Sequence, residues 1–167
     1  RDLGPFASDR LCLGLVELGL SPGEKVSLIG DDEPEGFWAE AAVQAAGGVV
    51  VAMWSDSIAS EIAYIIQHSD SRFVIAEDQE QVDKLVEVCD RIPGVKKVIY
   101  EDPRGMRSYR SDPWFMNIKA LYALGDTAHR EDPDRFEALV DRGKPDDPCH
   151  LCLTSGTTGL PKGAMMT

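Results

Sequence analysis

Gly47-Gly48-Val49-Val50-Val51-Ala52-Met53, followed by Asp56-Ser57, decides the fold class of this chain. The run from Val49 to Met53 has no polar interruption, and it lies between a glycine pair and a polar turn. A strand that is apolar on both faces belongs in a sheet covered on both sides, the usual setting of parallel strands. Upstream, Asp31 and Asp32 supply N-cap chemistry, Pro34 suits a first helical turn, and Gly47-Gly48 suits a helix end. Before that helix, Lys25 to Ile29 reads as a short strand. Still earlier, Leu11, Leu15 and Leu18 recur at helical spacing between Phe6 and Leu20, until Ser21-Pro22-Gly23 breaks the pattern. Downstream the plan repeats. Asp56 or Ser57 caps a helix with the stripe Ile58, Ile62, Ile65 and Ile66, and Phe73 to Ala76 is the next strand. Asp78 opens a helix with Val82, Leu85, Val86 and Cys89 on one face; Pro93-Gly94 closes it before a strand at Val98 to Tyr100. This β-α-β-α succession predicts an α/β fold with a parallel sheet and right-handed crossovers.

Beyond Tyr100 the rhythm weakens. Glu101 to Pro113 is polar and irregular, Phe115 to Leu124 and Pro133 to Arg142 are helix candidates, and Lys144-Pro145-Asp146-Asp147-Pro148 turns into a final strand at His150 to Leu153. Residues 1–167 are expected to divide into three parts. Residues 1–100 form a β/α subdomain, 101–147 an irregular and helical connection, and 148–167 a strand with a ligand loop.

The bulk numbers exclude several function classes. At 167 residues, 43% apolar and 28% charged, the chain can bury one core and does not have a disordered composition. Its net charge of −12 disfavours a nucleic-acid partner, whose phosphates call for clustered Lys and Arg. No apolar run approaches the ~20 residues of a membrane helix. The opening Arg1-Asp2-Leu3-Gly4-Pro5 lacks the basic-then-apolar form of a secretory leader, so the expected address is cytoplasmic. Cys149-His150-Leu151-Cys152 has a C-x-x-C spacing, but no second pair completes a zinc site. On a strand those two cysteines face opposite sides, and both read as small buried hydrophobes. None of the histidines sits in a motif.

Chemistry concentrates in Thr154-Ser155-Gly156-Thr157-Thr158-Gly159-Leu160-Pro161-Lys162-Gly163. Glycines let successive backbone N–H groups turn inward and let phosphate oxygens approach closely. Thr154, Ser155, Thr157 and Thr158 add hydroxyl donors, and Lys162 adds a point charge. An acidic chain must bind a polyphosphate through such local groups. A Gly/Ser/Thr linker has a similar composition. It would rarely follow an apolar strand directly or end in Pro-Lys-Gly and a further apolar run. The Walker pattern is not met, because Pro161 precedes Lys162 and Gly163 follows it, and no G-x-G-x-x-G occurs.

From Leu151 through Lys162 the chain resembles, position for position, the phosphate-loop signature of the adenylate-forming, or AMP-binding, superfamily. Further likeness lies in Leu18-Gly19-Leu20-Ser21-Pro22-Gly23-Glu24-Lys25-Val26. Ile29-Gly30-Asp31-Asp32-Glu33-Pro34-Glu35 with Trp38, Ala45 to Val49, Asp56 to Tyr64 and His68-Ser69-Asp70 look most like long-chain fatty acyl-CoA synthetases. The likeness is weakest between Glu101 and Lys144. It implies part of the large N-terminal domain of an enzyme that joins a fatty acid to ATP, releasing pyrophosphate, and then passes the acyl group to coenzyme A. It also implies that Thr154, Ser155, Gly156, Thr157, Thr158, Gly159 and Lys162 hold the β- and γ-phosphates, with Thr158 a candidate for the phosphate-bound Mg2+.

No catalytic residue is assigned within these residues. The expected partners are ATP, Mg2+, a fatty acid and coenzyme A, not nucleic acid. Peripheral association with the inner membrane face is left open. On this likeness the chain is an N-terminal fragment, inactive alone and able to self-associate through exposed apolar area. An adenylating enzyme for an aryl, amino or short-chain acid, and a non-catalytic nucleotide-binding module, are the alternatives.

Overall fold

The computed structural model describes residues 7–31, 34–154 and 162–167. The elements are α1 (Ala7–Glu17), β1 (Lys25–Gly30), α2 (Pro34–Ala45), β2 (Val49–Trp54), α3 (Ala59–Ser69), β3 (Ser71–Ala76), α4 (Gln79–Glu87), β4 (Lys97–Tyr100), β5 (Phe115–Asn117), α5 (Ile118–Glu131), α6 (Arg135–Val140), β6 (His150–Thr154) and β7 (Lys162–Met166). The strands form one sheet in the order β5-β4-β3-β1-β2-β6-β7. Every pairing is parallel except that of β7, which runs antiparallel to β6. The predicted parallel α/β sheet is therefore present. Strand order reverses at β1, which has β2 on one side and β3 on the other. In open sheets of this kind, ligands bind beyond the strand C-termini near such a switch point.

Alternation along the strands accounts for the two buried faces. Val51, Val74 and Val98 pack with Ile62 of α3 and with Val82 and Leu85 of α4. Their neighbours Val50, Phe73, Ile75 and Ile99 pack on the other face with Leu11 and Leu15 of α1, Val43 of α2 and Leu121 of α5. A residue and its successor on a strand point oppositely, so a continuous apolar run feeds both cores. Three buried serines pair with one another. Ser27 donates to Ser71 at 2.8 Å, and Ser69 and Ser71 share a bond at 2.7 Å, tying β1, β3 and the end of α3 together.

Local chemistry sets the helix ends. The Asp78 carboxylate accepts the backbone N–H of Gln81 at 3.2 Å, capping α4 as expected. Asp78→Ala is expected to cost about 1 kcal/mol in urea unfolding, with no change in the slope. Other expectations need correction. The cap position of α3 is Ile58, with no side-chain hydrogen bond, rather than Asp56 or Ser57. Ile58 is consequently 60% exposed and does not belong to the core stripe. Helix α4 ends at Glu87, so Cys89 falls in a 3-10 turn and faces solvent. Asp32 lies outside the described residues, and the Asp31 backbone N–H donates to Glu77.

The helix read from Phe115 begins only at Ile118. Phe115-Met116-Asn117 is an edge strand in parallel register with Val98-Ile99-Tyr100. Asn117 makes the break, since its side chain accepts the N–H of Lys119 at 3.0 Å and starts α5. Helix α5 then crosses α1 in close contact. A Cβ built on Gly125 would stand 1.9 Å from the Arg10 carbonyl oxygen, and one on Gly14 would stand 2.4 Å from that of Leu121.

Candidate phosphate-binding site

Strand β6 joins the sheet through β2, where Val50 is in register with His150. The Val50 N–H donates to the Cys149 carbonyl at 3.0 Å, and the Cys149 N–H donates to that of Met166 at 2.9 Å. From there β6 and β7 pair antiparallel along their length, ending with Thr154 opposite Lys162. Strand β6 runs parallel to β2, so Thr154 lies at the C-terminal edge of the sheet. The ladder thus brings the two ends of the predicted loop together and closes its base where α/β sheets bind ligands. Thr154 and Lys162 are placed by this backbone pairing. Ser155, Gly156, Thr157, Thr158 and Gly159, including the Mg2+ candidate Thr158, lie outside the described residues.

A cleft of about 310 Å3 opens beside this base, at the C-terminal ends of β1, β2, β3 and β6. Phe37 of α2 and Trp54 at the end of β2 stand at it, 60% and 73% exposed, over a floor that includes Met53 and Leu153. Four carboxyl residues complete the lining. Asp31, Glu77 and Glu101 each immediately follow a strand, and Glu40 comes from α2. Glu77 Oε2 accepts the Asp31 N–H at 2.7 Å, and a Cβ on Gly30 would stand 2.7 Å from Glu77 Cβ, so this corner is tightly built. Glu40 faces the His150 imidazole, with Oε1 at 3.1 Å from Nδ1.

Burial, reinforced by the nearby Glu35 and Glu77 carboxylates, pushes the Glu101 carboxyl up to about 7. The same surroundings push the Tyr122 phenol up to about 12, through burial first and then Glu101 and Glu35. Glu101 is therefore disfavoured as an anion in the folded state. Its contribution to stability is fully present below the unfolded-state value of 4.5 and is lost as pH rises toward about 7. A shift of that size corresponds to about 3 kcal/mol at most, and partial solvent access lowers this to roughly 2 kcal/mol. Glu101→Gln is expected to flatten the fall in stability between pH 5 and pH 8, measured by urea unfolding.

Sequence reasoning missed this cleft. Its one readable signal was an acidic residue directly after β1, β3 and β4. The C-x-x-C reading is corrected in part. Cys149 and Cys152 are only partly buried, because β6 has just the edge strand β7 beyond it, and Cys152 lines the cleft. His150, which sits in no motif, is held by Glu40. Cys12 is the deeply buried thiol, pushed up to about 12 by burial and then Asp9. No helix of the described residues is long and apolar enough to cross a membrane.

The chain is 26% identical over 159 residues to a long-chain-fatty-acid–CoA ligase of Rattus norvegicus, covering 95% of this chain and 21% of that protein. It is 30% identical over 156 residues to a long-chain-fatty-acid–CoA ligase of Xenopus laevis, covering 92% of this chain and 20% of that one. It thus spans about a fifth of the length of these curated relatives. Among solved structures, the anthranilate CoA ligase AuaEII, in complex with anthranoyl-AMP, superposes with a TM-score of 0.72 over 95% of this chain and 28% of that one, at 18% identity. That likeness extends the agreement in fold to the N-terminal part of a CoA ligase. A family model described as AMP-binding enzyme matches residues 7–167, from α1 through the strand that closes the loop. With that match running across the whole sheet, the chain belongs to the AMP-binding enzyme family.

Proposed function

We propose that this chain is the phosphate-binding part of an ATP-dependent acid–thiol ligase that adenylates a fatty acid and transfers it to coenzyme A. The observation that carries the proposal is the Thr154–Lys162 segment, rich in hydroxyls and glycines, with its ends paired at the C-terminal edge of a parallel sheet. The donor set suits a polyphosphate: backbone N–H groups freed by glycine, hydroxyls at Thr154, Ser155, Thr157 and Thr158, and the Lys162 cation. Such groups stabilise charge that builds on a departing pyrophosphate; they act by position and charge, without a protein nucleophile or base. Mg2+ would arrive with the phosphates, with the Thr158 hydroxyl as the protein's own ligand, and would neutralise phosphate charge. The sequence relatives named as long-chain-fatty-acid–CoA ligases support a fatty acid over an aryl, amino or short-chain acid.

The test is product analysis on a polypeptide of the relatives' length that contains these residues. It is supplied with ATP, Mg2+, coenzyme A and, in turn, palmitate, benzoate, acetate and an amino acid. The expected result is AMP and a thioester with palmitate alone. Thioester formation with another acid instead would keep the chemistry and overturn the substrate.

A further inference from the structure

The cleft at the C-terminal ends of β1, β2, β3 and β6 has a lining that suits a ligand unlike ATP. Among the described residues that line it none is Lys or Arg, and its imidazole, His150, is engaged with Glu40. Asp31, Glu40 and Glu77 face a polyphosphate or a fatty carboxylate with like charge, Glu101 being disfavoured as an anion, and the chain's net charge of −12 adds to the repulsion. The apolar part of the lining is equally specific. Large aromatic residues are seldom left this open on a surface, yet Trp54 is 73% exposed and Phe37 60% exposed at the same mouth. Aromatic faces attract cations through their quadrupoles, and carboxylates behind them add Coulombic attraction in a partly desolvated space. At about 310 Å3 the cleft reaches the lower range of small-molecule sites.

We propose that this cleft is a binding site for an organic cation, an ammonium or amidinium group carried on a compact apolar or aromatic body. The body would lie between Phe37 and Trp54 over Met53 and Leu153, and the cationic end would point toward Glu40, Glu77 and Asp31. Charge complementarity selects this class, because an anion of the same shape meets the carboxylates of Asp31, Glu40 and Glu77 and no Lys or Arg among the described lining residues. Glu77 is held in place by the Asp31 N–H and Glu40 by His150, so the acceptors are fixed before a ligand arrives.

Titration calorimetry of the chain with 2-phenylethylammonium, 2-phenylethanol and 3-phenylpropanoate tests this, since the three probes share a body and differ in charge. The expected result is saturable binding of the ammonium, with the alcohol about tenfold weaker and the carboxylate weaker still. Raising salt should narrow these differences. Trp54→Ala is expected to weaken the ammonium about tenfold, and Glu77→Gln together with Glu40→Gln should bring it to the level of the alcohol. Trp54 is well exposed and glutamine keeps an acceptor at both positions, so these variants are expected to fold; far-ultraviolet circular dichroism checks it. As a second readout, a Trp38→Phe, Trp114→Phe protein reports the ligand through Trp54 fluorescence alone. Equal affinity for ammonium and carboxylate, no saturable binding of the ammonium, or binding unchanged by Trp54→Ala would each overturn the proposal.

Discussion

Replacing Thr157, Thr158 and Lys162 together with alanine is expected to reduce carboxylate-dependent exchange of pyrophosphate into ATP by about 10³-fold or more. The estimate follows from what one preorganised donor to a developing charge contributes, about 10²–10³ in rate. Groups that act on one leaving group do not add independently, so the combined loss is bounded below by the largest single one. The background sharpens the expectation. In a chain of net charge −12, the phosphates find no broad basic surface to take over from the loop. The β6–β7 ladder from His150↔Met166 to Thr154↔Lys162 is made by backbone groups, so the variant should keep its fold and its melting temperature. Exchange that survived at more than a tenth of the original rate would remove the loop from the chemistry.

Gly125→Val is expected to destabilise the chain by about 3 kcal/mol or more, the upper end of what overpacking costs. A Cβ there would lie 1.9 Å from the Arg10 carbonyl oxygen, which is backbone of α1 and cannot rotate away. Gly14 makes the reciprocal approach to the Leu121 carbonyl, so α1 and α5 meet through paired small residues and neither can yield alone. Separating them would also loosen Leu11, Leu15 and Leu121 from the sheet face they share. Gly36→Ala is the internal control. It lies within α2, where among the described residues the added Cβ finds only the Asp31 carbonyl oxygen at 4.0 Å, and alanine should stabilise by roughly 0.5–1 kcal/mol. Urea unfolding of both variants, with opposite signs expected, separates a steric requirement from a general intolerance of change.

The parts legible in the sequence were those governed by near neighbours. Val49 to Met53 had to be a doubly covered strand because nothing in it is polar, and Val50 and Val51 do enter opposite cores. Asp78 announced its helix because an N-cap acts over three residues. Phe115-Met116-Asn117 was misread because a three-residue edge strand leaves no periodicity of its own, and its identity comes from Val98 to Tyr100. Ile58 fitted a helical stripe by spacing, yet the helix starts one residue later and leaves it outside. The cleft was invisible for a related reason. Phe37, Trp54, Glu77 and Glu101 are far apart in sequence and meet only because β1, β2, β3 and β4 end at one edge. The loop itself was read from its hydroxyl and glycine content and its likeness to a family signature, and the ladder that pairs Thr154 with Lys162 adds the location that neither could supply.

The central claim is that the residues from Thr154 to Lys162 serve the adenylation of a carboxylic acid. The most direct measurement is exchange of labelled pyrophosphate into ATP by a polypeptide of the relatives' length that contains them, with and without palmitate. Exchange that requires the fatty acid is the predicted result. A folded protein that binds ATP yet exchanges no pyrophosphate with any fatty, aryl or amino acid would contradict it, and would leave a nucleotide-binding module in its place.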